Sequence, residues 1–95
     1  MVIHELFQVI KQRQADQPVD SYTSQLFKQG MDEIVKKVGE EAVEVILAAK
    51  GQGKQRLIEE ISDLAYHVLV LMAAGGIDIS DVERELECRR RRSAS

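Results

Sequence analysis

The sequence predicts an all-α fold in which antiparallel helical hairpins assemble into a dimeric four-helix-bundle core, with short flanking helices around it. Three observations carry that prediction. Apolar residues recur at three- and four-residue spacing along most of the chain, the period of one helix face. A single proline and only 4% aromatic residues leave little of the composition that sheets favour. Two long amphipathic segments flank Gly51-Gln52-Gly53, the strongest helix-stopping signal nearby.

A first helix is expected from Val2 to about Ala15, with Ile3, Leu6, Phe7 and Ile10 at helical spacing. Gln17-Pro18 ends it, because the residue before proline avoids helical geometry. Asp20 or Ser21 then caps a short helix carrying Tyr22, Leu26 and Phe27, and Gly30 closes it. The first long helix leads in at Met31-Asp32 and runs to about Lys50. Its main stripe is Ile34, Val38, Ala42, Val45 and Ala49. The second long helix runs from about Lys54 to Ala74, with Leu57, Ile61, Leu64, Val68 and Leu71, and stops at Gly75-Gly76. Ser80-Asp81-Val82-Glu83 has the spacing of a capping box and starts a last helix. Arg89-Arg90-Arg91-Arg92 follows as a short basic run, with residues from about 90 to 95 expected to form a flexible tail.

The chain of 95 residues reads as a single domain with a small core. The long helices carry more apolar surface than one partner covers. Val43 and Leu47 lie on a flank of the first, and the second is apolar almost all round from Leu64 to Ala74. That surplus predicts a homodimer or larger homo-oligomer; the alternative is a monomer covered by its first and last helices. A formal net charge of -3 gives no broad basic footprint, so nucleic acid is not an expected partner. No apolar run approaches membrane-spanning length, no secretory leader is visible, and the one cysteine, Cys88, fits a reducing compartment. A cytoplasmic location without membrane association is expected.

The chemistry concentrates in Glu40-Glu41-Ala42-Val43-Glu44 and Glu60-Ile61-Ser62-Asp63. Residues three apart on a helix sit about 60° from each other around the axis, so Glu41 and Glu44 share a face, as do Glu60 and Asp63. Glu44 and Glu60 are equidistant from Gln52, and so are Glu41 and Asp63. A hairpin bent there brings all four carboxylates to one level. Carboxylates packed together repel and titrate upward unless a cation holds them. Oxygen-only ligands favour a hard ion, Mg2+ first and Mn2+ second, and Mg2+ commonly shares its coordination with substrate phosphates. Acids that merely line a solvated helix face are the ordinary alternative.

Ser21-Tyr22-Thr23, the run Lys36-Lys37-Val38-Gly39-Glu40-Glu41-Ala42 with Glu44, and Glu60-x-x-Asp63-Leu64-x-Tyr66-His67 together resemble the phosphoribosyl-ATP pyrophosphohydrolase family of histidine biosynthesis. The resemblance covers roughly Ser21 to Arg89. The acid pairs alone indicate only the wider all-α nucleoside triphosphate pyrophosphohydrolase superfamily of MazG-type and dimeric dUTPase-type enzymes. The resemblance implies Mg2+-dependent hydrolysis of 1-(5-phosphoribosyl)-ATP to 1-(5-phosphoribosyl)-AMP and pyrophosphate by a dimeric all-α bundle. It implies Glu41, Glu44, Glu60 and Asp63 as metal ligands, with Glu40 as a companion acid that orients a water or a second metal. Val43 departs from the pattern, standing where a smaller or more polar residue is expected. Relatives exist as fusions with a cyclohydrolase, and this length is that expected of the stand-alone form.

An acidic site that receives a polyphosphate needs cations, and Lys36, Lys37, Lys50 and Lys54 are candidates. Lys37, one turn before Glu41, serves either the phosphates or an i,i+4 ion pair with Glu41. Lys50 and Lys54 flank the turn, where they also suit a helix end. Glu40 or Glu41 is the candidate acceptor of the attacking water's proton. His67, four residues after Asp63, is a candidate hydrogen-bond partner to Asp63, with phosphate binding, metal ligation and plain packing as its other roles. Tyr22 and Thr23 are candidates for substrate contact beside a helix N-terminus, against capping and packing alone. Arg89 is a lesser candidate for phosphate. Two readings compete with the family one: a dUTP or house-cleaning pyrophosphohydrolase of the same superfamily, and a non-catalytic helical dimerisation module. A di-iron bundle is disfavoured, because Glu-x-x-His pairs are missing.

Overall fold

The computed structural model describes residues 2–94, and residue 95, the end of the expected tail, lies outside them. The described residues form five helices and no strand: α1 (Val2–Asp16), α2 (Tyr22–Gln29), α3 (Met31–Gly51), α4 (Lys54–Ala74) and α5 (Ile79–Ala94). None is long and apolar enough to cross a membrane.

The α3–α4 hairpin is the main packed pair; α1 lies on α4, and α2 bridges α1 and α3. Phe7 and Ile10 of α1, Leu26 of α2, Ile34 of α3 and Leu69, Val70, Met72 and Ala73 of α4 form one buried cluster, with Ile79 from the start of α5. The core thus gathers at the C-terminal half of α4, away from the acid-bearing turns. Burying a side chain such as Phe7 or Ile10 is worth about 1.5–3 kcal/mol each.

Junctions explain the element boundaries. Gln17, before Pro18, takes a left-handed conformation (φ 49°), and its amide donates to the Arg13 carbonyl at 2.9 Å. Helix α1 therefore ends on a left-handed cap rather than on extended backbone. Ser21 caps α2, its hydroxyl accepting from the Ser24 amide at 3.2 Å. Gly30, at φ 98° and ψ -179°, closes α2 and opens α3 with no residue between. Gly53, at φ 89° and ψ 163°, opens α4 after Gln52 has capped α3. Both glycines occupy a region that only glycine enters without strain. Helix α4 stops in a Schellman motif: the Ile77 amide donates to the Met72 carbonyl at 2.8 Å and the Gly76 amide to Ala73 at 3.2 Å.

The start of α5 differs from the expected Ser80–Glu83 box. Asp78 precedes the helix: its side chain accepts from the Ser80 amide at 3.2 Å and the Ser80 hydroxyl at 2.7 Å, and its own amide donates to Asp81 at 2.8 Å. The capping box therefore lies two residues earlier, because Asp78-x-x-Asp81 offers two carboxylates where Ser80-x-x-Glu83 offers one. Helix α5 continues through the arginine run to Ala94, laced by Glu85 with Arg89 and Glu87 with Arg90 and Arg91.

Candidate metal centre

The hairpin brings together three of the four acids that the symmetry about Gln52 sets at one level. Oxygen atoms of Glu41 on α3 and of Glu60 and Asp63 on α4 lie within 4.8 Å of one another. Three hard oxygen donors from two helices at that spacing fit a divalent cation of the Mg2+ or Mn2+ kind. Glu44 is outside that closest group, yet near enough for its charge to act on both Glu60 and Arg56. Glu40 is exposed, one residue before Glu41 on the same helix.

The three donors have unlike surroundings. Glu60 is 3% exposed, Glu41 is half-buried and Asp63 is exposed. Burial pushes the Glu60 carboxyl above the usual carboxylate range; Arg56 pulls it back, and Asp63, Glu44 and Glu41 push it further up. The Arg56 guanidinium lies 2.9 Å from Glu60 Oε1 and 3.2 Å from Glu59 Oε1. A buried acid repelled by its neighbours is a site that gains when a cation enters.

Beside the acids, α2 is tied to α4. The His67 Nδ1 lies 2.8 Å from the Asp63 carbonyl and Nε2 lies 2.9 Å from the Tyr22 hydroxyl. A carbonyl only accepts, so Nδ1 carries the proton, and in the neutral ring Nε2 then accepts from the Tyr22 hydroxyl. Tyr22 and Tyr66 both stand edge-on to the imidazole, with ring centroids 6.0 and 5.4 Å away. The Tyr22 hydroxyl titrates above its ordinary range through burial, with Tyr66, Glu41 and Glu33 adding to the shift and Lys37 opposing it. Tyr22 therefore sits among the α3 charges, half exposed. Thr23 is buried, and its hydroxyl is bonded to that of Tyr66.

The phosphoribosyl-ATP pyrophosphohydrolase family model matches residues 3–90. The chain belongs to that family. Among relatives of the phosphoribosyl-ATP pyrophosphohydrolases, the Clostridium botulinum (strain Hall) protein named phosphoribosyl-ATP pyrophosphatase is 52% identical over 92 residues, covering 96% of this chain and 83% of the relative. The Pelotomaculum thermopropionicum protein of the same name is 48% identical over 93 residues, covering 98% and 95%. The Thermotoga maritima histidine biosynthesis bifunctional protein HisIE is 47% identical over 87 residues, covering 92% of this chain and 44% of that protein.

Within this phosphoribosyl-ATP pyrophosphohydrolase frame, several expected residues have different partners from those the spacing suggested. Lys37 pairs with Glu40, Nζ to Oε1 at 3.6 Å, rather than with Glu41. That leaves the Glu41 oxygens to the acid group. His67 does bond Asp63, but through the main chain, because its ring lies back over its own helix. The buried Thr23 hydroxyl serves Tyr66, the packing role of the two foreseen for it. Lys36 is exposed, and the side chains of Arg89 to Arg92 belong to α5, with Glu85 and Glu87 as neighbours. Arg56, which the motifs do not include, joins the site, and Tyr66, part of the Tyr66-His67 motif but given no role there, stands beside His67 and bonds Thr23. Arg56 was findable, since it stands four residues before Glu60 on the same face. The Thr23–Tyr66 bond joins residues 43 apart and leaves no local signal.

Proposed function

We propose that this chain hydrolyses 1-(5-phosphoribosyl)-ATP to 1-(5-phosphoribosyl)-AMP and pyrophosphate in L-histidine biosynthesis, with Mg2+ as its cation and Mn2+ as the alternative. The observation that carries the reading is the meeting of Glu41 with Glu60 and Asp63 across the hairpin, in a chain whose relatives bear that enzyme's name. Family membership supports the substrate, and the hard oxygen donors support the metal.

The bond that breaks joins the α- and β-phosphates, and pyrophosphate leaves. Glu41, Glu60 and Asp63 hold the cation, and Glu44 adds its charge to the same group. The bound cation supplies charge neutralisation of the triphosphate and a lowered pKa for water. Phosphoryl transfer of this kind leaves the protein mainly positioning and electrostatic work. Glu40 or Glu41 accepts the proton of the attacking water. Lys37, half-buried and near enough for its charge to act on Tyr22, supplies positive charge to the phosphates, with the exposed Lys36 beside it in sequence. Tyr22, oriented by His67, faces the substrate; Thr23 holds Tyr66 in place behind it.

A homodimer completes this reading. Val35, Val43, Ile46 and Leu47 on α3 and Ile58 and Ile61 on α4 are each between 47% and 57% exposed. Large apolar side chains gathered on two adjacent helices call for a partner surface, and a second copy of the hairpin makes a four-helix core. A cytoplasmic location fits a biosynthetic enzyme of this family.

The test is pyrophosphate release with Mg2+ from phosphoribosyl-ATP, dUTP and the ordinary nucleoside triphosphates. Phosphoribosyl-ATP is expected to be turned over with the highest kcat/KM. A preference for dUTP, or no pyrophosphate from any of them, overturns the reading.

A further inference from the structure

Ion pairs three or four residues apart are common on this chain, and most join two exposed groups. Arg84–Asp81, Arg89–Glu85 and Arg90–Glu87 have side-chain exposures of 69%/51%, 70%/54% and 68%/43%. Such pairs contribute little. Arg56–Glu60 is of another kind: Arg56 is 50% exposed and its partner 4%. The guanidinium reaches down from solvent onto a buried carboxylate that belongs to the acid group. It bridges sideways to Glu59, and the charge of Glu44 on the opposite helix also acts on it.

That position conflicts with the site's proposed use. A carboxylate oxygen engaged by a guanidinium competes with a cation for the same lone pairs, and a fixed positive charge there opposes a divalent ion. The conflict disappears if the arginine moves. Arg56 lies in the first turn of α4, half in solvent, on a long flexible stem. Its planar fork of donors matches phosphate oxygens as well as it matches a carboxylate.

We propose that Arg56 changes partners during the catalytic cycle: it neutralises Glu60 while the acid group lacks its cation, and turns to the substrate's polyphosphate once Glu60 holds one. The inference rests on the cation reading of the acid group. It makes Arg56 a substrate-positioning residue. The swap keeps a positive charge on Glu60 at every stage, so the buried carboxylate is never left unpaired.

The experiment compares the full chain with Arg56→Gln, Arg56→Lys and Glu59→Gln. Mn2+ binding is followed by electron paramagnetic resonance without substrate, and steady-state kinetics use phosphoribosyl-ATP with Mg2+. Metal-free thermal melting of each protein is recorded alongside. Loss of a competing charge in Arg56→Gln is expected to tighten Mn2+ by roughly three- to tenfold. Loss of a charged phosphate contact is expected to raise KM about tenfold or more, with a smaller change in kcat. Arg56→Lys recovers part of both effects, and Glu59→Gln leaves both near wild type. Metal-free Arg56→Gln melts below wild type, and Mn2+ closes the gap. Unchanged or weakened Mn2+ affinity in Arg56→Gln overturns the exchange. Tighter Mn2+ with an unchanged KM overturns the phosphate role. If the wild type binds no Mn2+ while Arg56→Gln still melts lower, the cation reading fails and Arg56 is a static partner of Glu60.

Discussion

Replacing Gly53 with alanine tests the joint on which the site depends. Gly53 holds φ 89° and ψ 163°, and a Cβ built there meets no atom within 4 Å. The penalty is therefore backbone strain alone, about 1–3 kcal/mol for a residue forced into this region. A domain of this size loses about 4–8 °C of melting temperature per kcal/mol, so Gly53→Ala is expected to melt roughly 5–20 °C below wild type. Gly51 supplies the control. It is the last residue of α3, its φ is not in the left-handed region, and its added Cβ also meets open space. Gly51→Ala should gain about 0.4–1 kcal/mol by restricting the unfolded chain. The same chemical change two residues apart thus has opposite signs. Thermal melting by circular dichroism at 222 nm, with metal removed, reads both. A Gly53→Ala protein that melts with or above wild type would refute the account of the turn, and with it the reason that Glu41 meets Asp63 across the hairpin.

Other perturbations reach the site and the surface. Glu44→Ala and Asp63→Ala should each lower Mg2+-dependent kcat/KM on the order of 100-fold or more while leaving the helical content unchanged; wild-type rates in either would remove that residue from the site. The raised Glu60 carboxyl favours the folded protein while protonated, and that contribution is lost as pH rises through its raised pKa. Without metal, the melting temperature of Glu60→Gln relative to wild type should therefore climb as pH rises through and above the usual carboxylate range; a flat difference would contradict the burial argument. Mg2+ affinity should fall as pH drops through the same window, because protons compete for the ligand. Val43→Asp and Ile46→Asp should shift the protein to monomer in sedimentation, and an unchanged mass would return those side chains to ordinary surface. Ser21→Ala should cost about 1 kcal/mol by removing the α2 cap, measured by urea melting.

What could be read in advance follows the range of the forces. Helix periods, glycine stops and the Ser21 cap are local, and they gave α1 to α4 nearly to the residue. The matching of Glu41 with Asp63 was legible because a tight turn converts sequence distance into spatial level. Local signals misled where two rivals stood close together: Asp78 outcompetes Ser80 for the start of α5 because it offers an acceptor to two donors of the same residue. The depth of Glu60 against the exposure of Asp63 was not legible, since both share one helix face and depth depends on tertiary packing. For the same reason the Arg56–Glu60 pair looked like any surface i,i+4 pair until burial set it apart. The bond between Tyr22 and His67 joins α2 to α4 over 45 residues and depends on how α2 is docked.

The central claim is that acids from both arms of one hairpin grip a divalent ion. Mn2+ titration of wild type, Glu41→Gln from α3 and Asp63→Asn from α4 tests it most directly. The account predicts tight Mn2+ binding in the wild type and its loss or severe weakening in either variant. Tight binding that survives removal of one arm's carboxylate, or a wild-type protein that binds no Mn2+, would contradict it.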